Sequence, residues 1–224
     1  MGSVLRVQAR FGQRALLLTT AAVPLTGWTV HALALHRRLA TAKKDPLTGL
    51  SRRDAYTARA RQVLRRHGDD TVVVRVDQDH FKDINDRLSH AAGDTALHAR
   101  RPAHRLGGPD AAVGRLGGDE FAVVLHLPRG RREIRLAELV RMLRIPVVLD
   151  DGQALDVAAS VGAAALDVIG TRDLSVAQRA ADAALYDGKH SGHAVLATKE
   201  HATVPSINSR RAGRPGTAVW GRAA

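Results

Sequence analysis

The 224-residue chain has no cysteine, which excludes disulfides and thiolate metal centres and fits a reducing compartment. It has no GxxxxGK(S/T) stretch, so P-loop NTPase chemistry is excluded. No internal repeat is present. Acids are missing from residues 1–44, which carry seven Lys or Arg. One long run, Ala15–Leu35, lacks Asp, Glu, Lys and Arg over 21 residues.

The net charge of +12 follows this uneven distribution. Residues 1–44 contribute +7 and residues 198–224 contribute +4, leaving +1 for residues 45–197. The basicity belongs to the flanks, so the central region need not favour polyanions, and nucleic acid is not the expected partner. The uncharged run at 15–35 is long enough to cross a bilayer. Arg6, Arg10 and Arg14 precede it, and Arg37, Arg38, Lys43 and Lys44 follow it. Positive charge on both sides leaves orientation undecided. Residues 1–40 are therefore expected to form an apolar helix and a single-pass membrane anchor, with a helix packed on the domain as the alternative. Residues 198–224, rich in Pro, Gly, Ser and Arg without periodicity, read as a flexible basic tail.

Residues 41–197 alternate helical and strand patterns. "TVVVRVD", Thr71–Asp77, is a β-branched strand. "FKDINDRL" and "DTALHARRPAHRL" read as helices, the second bent or ended by Pro102. "AAVGRLG" and "EFAVVLHL" are strands on either side of "GGDE". "RREIRLAELVRMLR" and "LSVAQRAADAALYDGKH" are helices. Strands are expected around "PVVLD" and "ALDVAASVGAAAL", and a short one at "HAVLAT". Neighbouring strands joined by hairpins give an α+β fold, a mainly antiparallel central sheet surrounded by helices.

The hairpin "RLGGDEFAVVL" sets two glycines and two acids before a buried strand. Gly117 and Gly118 are expected to supply positive φ for the tight turn. They also let a bulky ligand approach the backbone. Asp119 and Glu120 then lie at the tip and the start of the second strand. If that strand pairs with the one ending at Asp77, three carboxylates converge and repel. A divalent cation relieves the conflict, and oxygen-only ligands suit Mg2+ or Mn2+ with substrate phosphates completing the shell. Lys82 and Lys189 are candidate phosphate contacts. Asp94 can accept both the N1–H and the amino group of guanine, a pattern adenine lacks, and Asn85 can donate to a purine edge.

"DPLTGL", "DQDHFKDINDRLSHAAGD", "RLGGDEFAVVL", "ASVGAA" and "ADAALYDGKHSGH" together resemble, in order and spacing, the GGDEF-domain family of diguanylate cyclases, over about residues 45–197. The likeness to small actinobacterial members is weaker. The resemblance implies a palm-type, nucleotidyl-cyclase-like fold. It implies condensation of two GTP into cyclic di-GMP with release of two pyrophosphates, at the two-fold interface of a homodimer. It makes Asp119 and Glu120 catalytic. Asp77, the Gln78 carbonyl, Asp119 and Glu120 become metal ligands for Mg2+ or Mn2+. Lys82, Asn85, Asp94, Gly117, Gly118 and Lys189 become substrate-binding. Because GTP is cytosolic, the domain is expected on the cytoplasmic side of the cell membrane, or in the cytoplasm if there is no anchor. A catalytically weak GGDEF module that binds GTP or acts through protein contacts is the alternative.

Four positions depart from the family pattern. Ser89 replaces a usual glycine, His193 a usual arginine and Arg75 a usually apolar strand residue, while Pro102 interrupts a helix. Alternation puts Arg75 on the face of Asp77, where it either pairs with an acid or marks a less tightly packed member. The family's RxxD product-binding site is missing, since its positions are Gly108 and Ala111. An arginine fork is what clamps a cyclic dinucleotide. Micromolar cyclic di-GMP is therefore expected to leave the initial rate of the chain unchanged. A progress curve with added product checks this, and strong non-competitive inhibition would reveal another site.

Overall fold

A computed structural model describes residues 25–98, 108, 110–189 and 191–204. The chain divides at Lys43/Lys44 into two units. In the first, residues 25–42 form helix α1. Leu25, Trp28, Val30, Leu33, Leu35 and Leu39 are exposed along it. Among the described residues no helix is long and apolar enough to cross a membrane, so the expected anchor is not supported. Residues 15–24 of that run lie outside the described residues.

The second unit is built on a five-stranded sheet of order β2-β3-β1-β6-β7. These strands are β1 (Thr71–Gln78), β2 (Ala112–Gly117), β3 (Glu120–His126), β6 (Ala159–Ala165) and β7 (Ala194–Leu196). β1 lies between β3 and β6, antiparallel to both. β7 runs parallel to β6. The expected α+β architecture is thus present, with one parallel pair at an edge. "ALDVAASVGAAAL" is not one strand. Ala154–Leu155 (β5) pairs with Val147–Val148 (β4) in a separate small ribbon.

Period-two alternation sorts β1 between two cores. Val72, Val74 and Val76 pack with Leu97, Leu136, Leu139 and Leu143, from helices α4 (His90–His98) and α5 (Arg132–Leu143). Val73 packs on the other face with Tyr56, Ala60, Ala177, Ala181 and Ala184, from α2 (Arg53–His67) and α7 (Leu174–Asp187). Two short helices, α3 (Phe81–Arg87) and α6 (Leu166–Ile169), complete these layers. The α4 helix starts earlier than its sequence suggested, because Ser89 Oγ accepts the Ala92 N–H at 3.1 Å and so caps it. The Ser89 departure therefore supplies a cap and needs no positive φ. Pro102 lies outside the described residues.

The expected tail begins instead as helix α8 (Lys199–Thr203), closed by a Thr198–His201 capping box. His201 Nε2 lies 3.0 Å from Asp187 Oδ2, which ties α8 to the end of α7. Residues 205–224 of the expected tail lie outside the described residues.

The contact that sets α7 on the sheet is at Gly162. A Cβ there would lie 2.1 Å from the Ala181 carbonyl oxygen and 2.4 Å from the Leu185 nitrogen. Only glycine admits this approach. Gly162→Ala is expected to destabilise the fold by about 1–3 kcal/mol through overpacking. Gly118→Ala, which meets nothing within 4 Å, should change stability by less than about 0.5 kcal/mol. Urea unfolding of the two variants checks the contrast.

Candidate active site

The register of β1 against β3 ends with Asp77 opposite Glu120. Directly opposed residues share a face, so the two carboxylates stand together at one end of the sheet. The hairpin between β2 and β3 carries Asp119, whose carbonyl accepts the Gln78 N–H at 3.3 Å. This ties the turn to the end of β1 and brings the predicted acids into one region. Neither Gly117 nor Gly118 has positive φ, contrary to expectation. The ladder instead shifts register between Arg115 and Gly117, and that irregularity turns the chain. A Cβ on Gly118 would enter open space, so the second role expected of the pair, clearance above the backbone, is available.

Arg115 pins the hairpin from below. Its Nε donates to the Gly118 carbonyl at 2.9 Å, and its Nη1 lies 3.1 Å from Asp45 Oδ1. Asp45 also accepts from the Thr48 N–H and hydroxyl, both at 2.7 Å. Hydrogen bonds from Thr48 and Arg115 hold the Asp45 carboxyl below its ordinary value, outweighing burial. "DPLTGL" is therefore a brace for the hairpin, a role the sequence reading did not give it.

Lys189 follows α7, and its Nζ lies 3.2 Å from Asp77 Oδ1. Burial pushes the Asp77 carboxyl up; Lys189 opposes this, and Asp119 and Glu120 add to it. Gln78 is buried, and neither side-chain amide atom has a hydrogen-bond partner. An unmet buried amide costs about 1–3 kcal/mol. Asp79, not singled out from sequence, is buried and accepts from Ser160 Oγ at 2.7 Å. His80 follows it in the left-handed region, at φ 55°, and starts α3.

Along α3, Lys82 is exposed and Asn85 half-buried. A Cβ on Gly93 would lie 2.0 Å from Asn85 Oδ1. The Asn85 amide therefore rests on the α4 backbone beside Asp94, which is exposed. The two predicted purine readers thus belong to one α3–α4 pair.

Asp77, the Gln78 carbonyl, Asp119 and Glu120 are all oxygen donors, the type a hard divalent cation takes. Their crowding and the raised Asp77 carboxyl fit a cation by charge. As the side chains stand, no three His, Asp or Glu among the described residues are gathered closely enough to hold a metal. Lys189 engages Asp77, and Arg75 engages Glu120 at 3.3 Å and also Asp182. The pairing of Arg75 with an acid on its own face agrees with the sequence expectation.

Comparison with known proteins matches residues 42–194 to the family described as diguanylate cyclase, GGDEF domain. An uncharacterized 19.3 kDa protein of Streptomyces ambofaciens is 45% identical over 170 residues, covering 75% of this chain and 89% of that protein. The diguanylate cyclase TpbB of Pseudomonas aeruginosa is 40% identical over 130 residues, covering 55% of this chain but only 30% of that protein. Among solved structures, the isolated GGDEF domain of TpbB superposes with TM-score 0.63 at 30% identity, covering 70% of this chain and 96% of that one. The coiled coil and GGDEF domain of DgcB from Caulobacter crescentus, in complex with c-di-GMP, gives TM-score 0.67 at 25% identity, covering 80% and 100%.

The raised Asp77 carboxyl has a stability consequence. Native Asp77 holds its proton to higher pH than the ordinary value of 3.8. The ionised group therefore costs stability above its folded pKa, and the cost fades as pH falls to 3.8. In metal-free buffer, Asp77→Asn is expected to melt higher than the unmutated chain at pH 7, with the gap closing as pH is lowered. Thermal melts across that range check it. A lower melting point at pH 7 would show that the Lys189 pair outweighs burial.

Proposed function

The chain belongs to the GGDEF-domain family, and on that premise we propose that it is a diguanylate cyclase, a nucleotidyltransferase that joins two GTP into cyclic di-GMP and releases two pyrophosphates. The observation that carries this reading is the Asp77–Glu120 opposition at the end of the sheet, with Asp119 on the adjoining turn and Lys189 against Asp77. Asn85 and Asp94 read the guanine edge. Lys82 and Lys189 meet phosphate oxygens, with Lys189 moving from Asp77 to the substrate. Gly117 and Gly118 leave room for the nucleotide over the turn. Asp77, the Gln78 carbonyl, Asp119 and Glu120 would hold Mg2+ or Mn2+, which when bound neutralises the triphosphate and polarises the α-phosphate. Asp119 is assigned to accept the proton of the attacking 3′-hydroxyl, and Glu120 supports the same end of the hairpin.

Each subunit offers one GTP, so two subunits must face each other across a two-fold axis. Helix α1 supports a dimer. Leu25, Trp28, Ala32, Leu35, Leu39 and Ala42 recur at alternating three- and four-residue spacing, the seam of a two-stranded coil. The ion pairs that occupy Asp77 and Glu120 favour a second reading, a GGDEF module that binds GTP and turns it over weakly or not at all.

The full chain incubated with GTP and Mg2+ is expected to yield cyclic di-GMP, identified by chromatography and mass. Asp119→Ala should abolish product while keeping the fold. Asp94→Ala should raise KM for GTP, because the guanine N1–H loses its acceptor. Nucleotide binding without product would establish the second reading.

A further inference from the structure

Arg75 is a cation in the middle of a strand whose neighbours on both sides are apolar, with a side chain only 12% exposed. Its place in the sheet is prepared for it. Across β3 it pairs with Ala122, and across β6 with Gly162. These small residues leave the guanidinium free to lie over the sheet. Gly162 also brings α7 onto β6 at Ala181, and the next residue of that helix is Asp182. The Arg75 Nε edge bonds Asp182 Oδ1. The Nη2 edge lies 3.3 Å from Glu120 Oε2. Glu120 faces Asp77, two residues along β1 from Arg75, so Arg75 and Glu120 are diagonal neighbours on one face.

We propose that Arg75 is a positioning residue for Glu120, clamped by Asp182, and that this Asp182–Arg75–Glu120 chain fixes where the second acid of the hairpin presents its carboxylate. The inference rests on the cyclase reading of the site. A guanidinium is planar and rigid, so fixing its Nε–H on Asp182 fixes the direction of its Nη2 donors. Among the described residues the Glu120 carboxylate accepts from a single N–H, which leaves lone pairs available to a cation. Asp182 comes 62 residues after Glu120 in the chain and shares no hydrogen bond with it among the described residues, although the two charges repel. Its hydrogen-bonded link to Glu120 runs through the arginine. Lysine in place of Arg75 would keep the charge but lose the two-edged fork.

The test compares the full chain with Arg75→Leu, Arg75→Lys and Asp182→Asn. Mn2+ binding in the presence of a non-hydrolysable GTP analogue is followed by electron paramagnetic resonance. Steady-state kinetics with GTP and urea unfolding run alongside. Arg75→Leu is expected to weaken Mn2+ binding by about tenfold or more, the usual effect of losing an outer-shell partner. It should lower kcat with little change in KM for GTP. Asp182→Asn should move Mn2+ affinity and kcat the same way, although Asp182 shares no hydrogen bond with Glu120. Arg75→Lys should recover stability without recovering Mn2+ affinity. If Arg75→Leu fails to fold, the isosteric Asp182→Asn decides alone. Mn2+ affinities all within twofold of the unmutated chain, whatever the urea midpoints, would overturn the proposal and leave Arg75 a structural ion-pair partner. No Mn2+ binding by the unmutated chain would also overturn it. If the unmutated chain binds Mn2+ but makes no cyclic dinucleotide, the cyclase reading fails and the Mn2+ comparison still judges Arg75.

Discussion

Like charge crowded at the end of a sheet is the constraint on which the site depends. Pairing β1 with β3 places Asp77 opposite Glu120 and brings Asp119 beside them. Asp182 adds a fourth carboxylate from α7. Carboxylates this close raise one another's proton affinity, and burial pushes both Asp77 and Asp182 upward. Two cations counter the crowding, Lys189 against Asp77 and Arg75 between Asp182 and Glu120. The ordering of the site is therefore electrostatic, while the sheet and helices supply its frame.

That frame is itself fixed by close approach. Gly162 lets α7 sit on β6, which carries Asp182 to Arg75 and directs the end of the helix toward Asp77. Gly93 lets the α3–α4 pair close on Asn85. Arg115 and Asp45 brace the hairpin from the far side. Each of these contacts positions a polar group, and each would be lost to an added methyl or a removed charge. The site thus draws on β1, the β2–β3 hairpin, α3, α4 and the segment after α7, with the sheet as common support.

Departures from the family pattern have different physical meanings. Ser89 gains a capping bond to Ala92 that glycine lacks. Arg75 gains two acidic partners. His193 is exposed, and its backbone N–H donates to Ser191 Oγ at 3.4 Å. The first two fit the local structure around them.

The sequence alone determined what depends on near neighbours. Alternation placed Val72, Val74 and Val76 on one face of β1 and Arg75 and Asp77 on the other. The apolar runs on either side of "GGDE" made a hairpin with its acids at the tip. The ordered motifs identified the family and the residues worth testing. Local pattern misjudged the turn, because a register shift in the ladder did what positive φ was expected to do. It also ran the tail back to residue 198, since a five-residue helix produces no periodic signal. Only the tertiary structure decided which charges meet. Arg75 and Asp182 are 107 residues apart, and Asp77 and Lys189 are 112 apart. Their meeting depends on sheet order and on a helix seated at Gly162, and no short-range pattern encodes either.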